Sequence, residues 1–147
     1  MFDAGIIRAL NIALSKKLEE IFDSPTIYHD MLPMGYEAPC FFISNVDTQV
    51  SLFMYDRYRM TVNYDITYHP NERKFYTAEF SKVGNLMSFG LEYIDLEDNK
   101  PLRGSNIRYE VQDGVLHFFI TFDFFVRQYK GRGEYMQKLT QVYSIKE

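Results

Sequence analysis

The sequence predicts an α+β domain: a mostly antiparallel sheet with two helices packed on it, in the order α-β-β-β-α-β-β-β, followed by a C-terminal extension. Three observations carry this. The chain of 147 residues holds 13 Phe and 12 Tyr but no Trp, and aromatic side chains suit the pleated, half-buried surface of a sheet. Residues 57–69 alternate strictly, with Tyr58, Met60, Val62, Tyr64, Ile66 and Tyr68 against Arg57, Arg59, Thr61, Asn63, Asp65, Thr67 and His69. Two segments instead show helical spacing.

The first helix is read from Ile7, Leu10, Leu14, Leu18 and Ile21, one stripe with Arg8, Ser15, Lys16, Glu19 and Glu20 off it. Asp3 is its expected cap and Pro25 its stop. A short strand over Thr26–Asp30 follows, then a loop with Pro33, Gly35 and Pro39, then a strand from Cys40 to Val50 with a polar second half. The alternating strand 57–69 stops at Pro70, and Asn71 is placed to cap a second helix with the stripe Tyr76, Phe80, Val83 and Met87 ending near Gly90. A strand near Tyr93–Leu96 and a turn through Asp98-Asn99-Lys100-Pro101 lead to a hairpin. Its first arm holds Ile107, Tyr109 and Val111, its turn is Asp113-Gly114, and its return strand runs from Val115 to Arg127. Gly131 and Gly133 mark a hinge, so residues 1–130 read as one domain and 131–147 as an extension with Met136, Leu139, Val142 and Ile145 as scattered apolar anchors.

Composition narrows function. The net charge of −4 argues against a wide basic face for nucleic acid. The single Cys40 excludes an internal disulfide and a four-cysteine zinc site, and its apolar setting suits a buried hydrophobe. Asp3, Arg8 and Asn11 interrupt any secretory signal, and no apolar run spans a bilayer; the expectation is a cytosolic, reduced, soluble chain. Catalytic patterns are missing as well. Asp65 and His69 share a strand face but stand about 13 Å apart, and His117 and Asp123 are further apart still. His29, His69 and His117 lie on three strands and would need to converge to hold a metal. Gly131-Arg132-Gly133 lacks the third glycine and the strand-to-helix setting of a phosphate loop. Neither catalytic residues, nor metal ligands, nor a cofactor are expected.

Surfaces remain. Leu52, Phe53, Met54 and Tyr55 form an apolar hairpin tip, which either binds a partner or folds onto its own domain. The runs 57–69 and 115–127 are longer than ordinary strands, which suits a subunit interface, or else a bent strand bulged at Phe118-Phe119 or Phe124-Phe125. Arg57, Arg59, Arg127, Lys130 and Arg132 make a basic set, either part of an interface or an ordinary solvated face.

Three blocks resemble a known family: Glu37-Ala38-Pro39-Cys40-Phe41-Phe42-Ile43; Arg57-Tyr58-Arg59 leading into Tyr64-Asp65-Ile66-Thr67-Tyr68; and Leu102-Arg103-Gly104-Ser105-Asn106 with Val111-Gln112-Asp113-Gly114-Val115 and the strand to Val126. Together they are similar to the tail terminators of long-tailed phages, defective prophages and contractile bacteriocin-like particles of Gram-positive bacteria. The resemblance runs from the first helix to about Arg127. It implies a structural virion protein assembled in the host cytoplasm, forming a homo-hexameric ring on the head-proximal end of the tail tube. Such a ring stops addition of the tube protein, caps the sheath protein where there is one, and docks the head connector, while DNA passes through its lumen. On this reading Leu52, Phe53, Met54 and Tyr55 face the tube or a neighbouring subunit, and Arg57 and Arg59 pair with acids on that subunit.

Three other readings compete. A head–tail connector or tail completion ring of the neck would share the size and the interfaces. A small-molecule-binding enzyme would use the aromatic sheet as a pocket floor, with His117, Thr121 and Asp123 at its base. A single-strand nucleic-acid binder would use Tyr and Phe as stacking platforms, against the acidic balance of the chain.

Overall fold

Strict alternation over residues 57–69 makes one face of a strand apolar, and the apolar run at 115–127 supplies its neighbour. In the computed structural model, which describes residues 5–71, 77–96 and 100–128, these become β3 (Arg57–His69) and β6 (Val115–Arg127), each 13 residues long. They pair antiparallel from Arg57↔Arg127 to Tyr68↔Leu116 without a register shift, so the alternative of a bulge at Phe118-Phe119 or Phe124-Phe125 does not hold. The other elements are α1 (Ile6–Ile21), β1 (Thr26–His29), β2 (Cys40–Met54), α2 (Thr77–Gly90), β4 (Tyr93–Asp95) and β5 (Pro101–Gln112). The order along the chain is the expected one. The sheet runs β1-β2-β3-β6-β5-β4, with β1 parallel to β2 and the other pairs antiparallel.

Burial follows the period of each element. Leu10, Ala13, Leu14 and Leu18 of α1 and Phe80, Val83 and Met87 of α2 are buried, as their stripes require. They close over Val62, Tyr64, Ile66, Phe118, Ile120 and Phe122, one face of β3 and β6. Two phenols tie the layers together: Tyr64 donates to Asn11 Oδ1 at 2.9 Å and Tyr68 to Glu79 Oε2 at 2.6 Å. Burial drives both phenol pKa values up, the Glu79 carboxylate adding to the rise at Tyr68. At the base of the opposite face, Tyr36 in the β1–β2 loop lies against His69, with ring centroids 5.1 Å apart.

Several boundaries differ from expectation. The N-cap of α1 is Gly5, with no side-chain bond, and the helix closes at Phe22 ahead of Pro25; Asp3 lies outside the described residues. α2 is described from Thr77; Tyr76 and the segment joining it to the expected Asn71 cap lie outside the described residues. β2 continues past Val50 to Met54, because pairing with β3 extends its polar second half. β5 begins at Pro101, earlier than the Ile107 alternation suggests, with a register shift between Ser105 and Arg108. The Asp113-Gly114 turn forms with φ of 55° and 76°, the left-handed pair that a two-residue hairpin needs.

Gly84 in α2 is a packing requirement. A Cβ there would come within 2.6 Å of the Tyr109 ring, whose hydroxyl donates to Asn85 Oδ1 at 2.9 Å. Alanine is the better helix former by about 1 kcal/mol, yet the clash prevails. Gly84→Ala is expected to destabilise the chain by about 1–3 kcal/mol, seen as a lowered midpoint in urea denaturation.

Candidate assembly surface

The β1 strand covers only Cys40–Ile43 of β2. Beyond that point β2, β3 and β6 run on, with β5 beside β6 only as far as Gly104↔Phe122; past that pair they form a three-stranded arm, and every residue of β2 from Asn45 to Met54 is exposed. The arm ends in a two-residue turn, Tyr55-Asp56, with Tyr55 at φ 52°. Leu52, Phe53 and Met54 therefore belong to the strand end, and Tyr55 alone of the four sits in the turn. They are 55%, 53%, 48% and 91% exposed, so in the single chain the tip does not fold away.

The tip has its own order. The Phe53 and Phe125 rings pack at 4.9 Å, and the Arg57 guanidinium lies over both, at 5.7 and 5.5 Å, a cation–π arrangement. Arg127 stands opposite Arg57 and reaches Asp56 Oδ1 at 3.6 Å, while the Gln128 N–H donates to the Asp56 carbonyl at 2.8 Å. Arg57, Arg59 and Arg127 thus gather on the arm; Lys130 and Arg132 lie outside the described residues. For Arg59, expected to meet an acid on an adjoining subunit, the structure supplies one in its own chain. Its Nε donates to both oxygens of Asp123, at 2.9 and 3.1 Å, and its Nη2 donates to Oδ2.

From that pair a polar ladder runs down the sheet face away from the helices. Thr61 donates to Asp123 at 3.2 Å, Thr121 to Asn63 at 2.5 Å, and Asn63 to Asp47 at 2.6 Å. His117 Nδ1 lies 3.1 Å from Asp65 Oδ2, and Arg108 covers the Phe119 ring at 4.1 Å. Most of its groups pair with one another across the strands, while Asp65 Oδ1 is buried with no hydrogen-bond partner among the described residues. His117, Thr121 and Asp123, the trio expected to floor an enzyme pocket, each bond to a different neighbour on β3. The three histidines stay apart, with His29 on Ser15 at 2.9 Å, His69 on Thr67 at 3.0 Å and His117 on Asp65. Among the described residues no group of three His, Cys, Asp or Glu side chains could hold a metal ion. Cys40 is buried, which pushes its thiol pKa up, away from reactivity.

The Asp65–His117 contact was missed in the sequence because spacing was tested within strands. The β3–β6 register, which places Thr67 opposite His117 and Asp65 opposite Phe119, was the signal needed. Electrostatics at the top of the ladder gives a prediction. The Arg59 guanidinium holds the Asp123 carboxyl below its ordinary value of 3.8. A depressed carboxylate stabilises the fold fully above the unfolded value and loses that contribution as pH falls through the folded one. Asp123→Asn is therefore expected to flatten the acid limb of a stability-versus-pH curve, and carbon NMR titration should find Asp123 among the last carboxylates to protonate.

No curated protein matches the chain. Among solved structures, one superposes over 90% of this chain and 100% of its own at 13% identity, with a TM-score of 0.42, a level at which function does not transfer. The profile of a family described as Phage tail terminator protein matches residues 9–134, from the first turns of α1 past the end of β6. That family is one of structural proteins rather than enzymes, which agrees with the exposed apolar tip. The chain belongs to the phage tail terminator family.

Proposed function

We propose that this phage tail protein forms a homo-hexameric ring on the head-proximal end of the tail tube and ends tube growth by occupying the docking surface. The observation that carries this reading is the arm: three strands projecting beyond β1 and beyond the β5–β6 pairing, with Leu52, Phe53, Met54 and Tyr55 exposed at the tip and Arg57 and Arg127 beside them. A ring closes through heterologous contacts, in which two different faces of each subunit meet, and a projecting arm is one such face. In this account one face of the ring repeats the tube's docking geometry while the other lacks the donor surface that a further tube ring needs. That second face receives the head connector, and the sheath protein where the tail contracts. The ring assembles in the host cytoplasm, stays in the neck of the virion and lets DNA pass through its lumen without sequence-specific binding. Residues 1–130 act as the ring-forming domain and 131–147 as an extension.

Growth of purified tube protein tests the reading. Added chain should shorten tubes in proportion to its concentration and be found at one end only, about six copies per tube. Tubes of unchanged length, with the chain bound instead to head connector rings, would favour a neck connector.

A further inference from the structure

Resting on the ring proposed above, we infer that the arm tip of one copy docks on the apolar groove where α1 and α2 end on the next copy, which makes that groove the second face of the ring contact. The two helices finish side by side. Ile21, the last residue of α1, packs so closely on Gly90, the last of α2, that a Cβ on Gly90 would overlap its side chain. With Asn85, Leu86 and Phe89 they line an open groove. Phe89 is 81% exposed and Leu86 is exposed beside it, on a helix whose other side, with Phe80, Val83 and Met87, already fills the core. An apolar surface left open in this way marks a contact site.

Charge decides what the groove takes. A helix C-terminus carries about half a negative charge, which a cation in the last turn ordinarily offsets. Neither α1 nor α2 has a basic residue in its last turn. Glu20 and Asp23 stand exposed on either side of Ile21 in the chain, and Glu92 follows Gly90 by two residues. Lys17 and Arg103 are matched to Glu20 at 3.7 Å and to Glu92 at 3.1 Å, and Lys82 stands a full turn before Leu86. The groove is apolar with a negative rim. The arm tip is its complement: Leu52, Phe53, Met54 and Tyr55 with two exposed arginines, Arg57 and Arg127, against one acid, Asp56. Arginine beside aromatic anchors is the composition of an interface centre. Tip and groove are both exposed in the single chain, so neither covers the other and their contact joins two copies. Because two different faces meet, each added copy leaves a tip and a groove free until the ring closes.

Sedimentation of the full-length chain tests this. Phe89→Lys supplies the missing cation to α2, which favours the fold, and sets it against Arg57 and Arg127 of the incoming tip. It should weaken self-association by at least about 30-fold, the loss of one anchor, with no fall in thermal midpoint. A second variant, Phe53→Ser with Met54→Ser, should lose association to the same degree. Mixed, the two should form pairs and nothing larger, since the first lends its tip and the second its groove. A Phe89→Lys chain that associates as the native one does, or a mixture that stays monomeric, overturns the inference. A native chain that is monomeric at millimolar concentration overturns it too. Growth of tube protein in the same samples separates this contact from the capping reading. Contacts as expected beside tubes of unchanged length would make capping alone fail; an associating Phe89→Lys chain beside shortened tubes would make the docking groove alone fail.

Discussion

Replacing Phe53 and Met54 together by aspartate is expected to leave the chain folded and to abolish its association with tube ends. Both side chains are about half exposed, and only Phe53 has a ring partner, Phe125. Surface substitutions of this kind shift stability by about 0.5 kcal/mol or less, with a little more here for the lost ring pair and the Arg57 cation–π contact. At an interface the same groups would be anchors. Anchor side chains in desolvated pockets each carry about 2 kcal/mol or more, and a buried carboxylate without a partner adds a further penalty. Two such losses per subunit, repeated round a ring, multiply into a loss of binding beyond detection. Thermal melts check the first half, and cosedimentation with tubes checks the second. A double variant that still caps tubes would remove the arm from the interface.

The second large effect belongs to the core. Phe122→Ala is expected to cost about 3–5 kcal/mol, a large share of the roughly 5–15 kcal/mol that hold a domain of this size. Phe122 is fully buried, meets Tyr64 edge-on with centroids 6.1 Å apart, and packs over Gly104, where an added Cβ would press on Ile120 and Phe122. Phe125, three residues along the same strand, faces the other way and is half exposed. Phe125→Ala is expected to cost about 1 kcal/mol or less. The contrast isolates burial from residue type, and urea denaturation of the two variants measures it.

Much of this architecture could be read from the chain because period reports face. The alternation at 57–69 and the stripes Leu10, Leu14, Leu18 and Phe80, Val83, Met87 each name the side that water leaves, and the structure buries those sides. The Asp113-Gly114 turn was equally plain, since few residue pairs accept two positive φ values. Pairing was not readable. β3 and β6 are neighbours in the sheet but are separated along the chain by α2, β4 and β5, so the Arg59–Asp123 and Asp65–His117 contacts depend on a register that no local pattern specifies. Strand ends were hidden for a related reason. β2 reaches Met54 because β3 pairs with it, although Asn45, Asp47 and Gln49 are poor advertisements for a strand. The tip was recognisable as apolar from its four residues, but what it meets is not encoded in one chain's hydropathy. The family supplied that reading.

The proposed role, stopping tube polymerisation, is read out by electron microscopy of particles from a producing strain with the gene disrupted. Overlong tubes of irregular length, without heads attached, are the expected result. Tubes of normal length beside unjoined full heads, or ordinary intact particles, would contradict it.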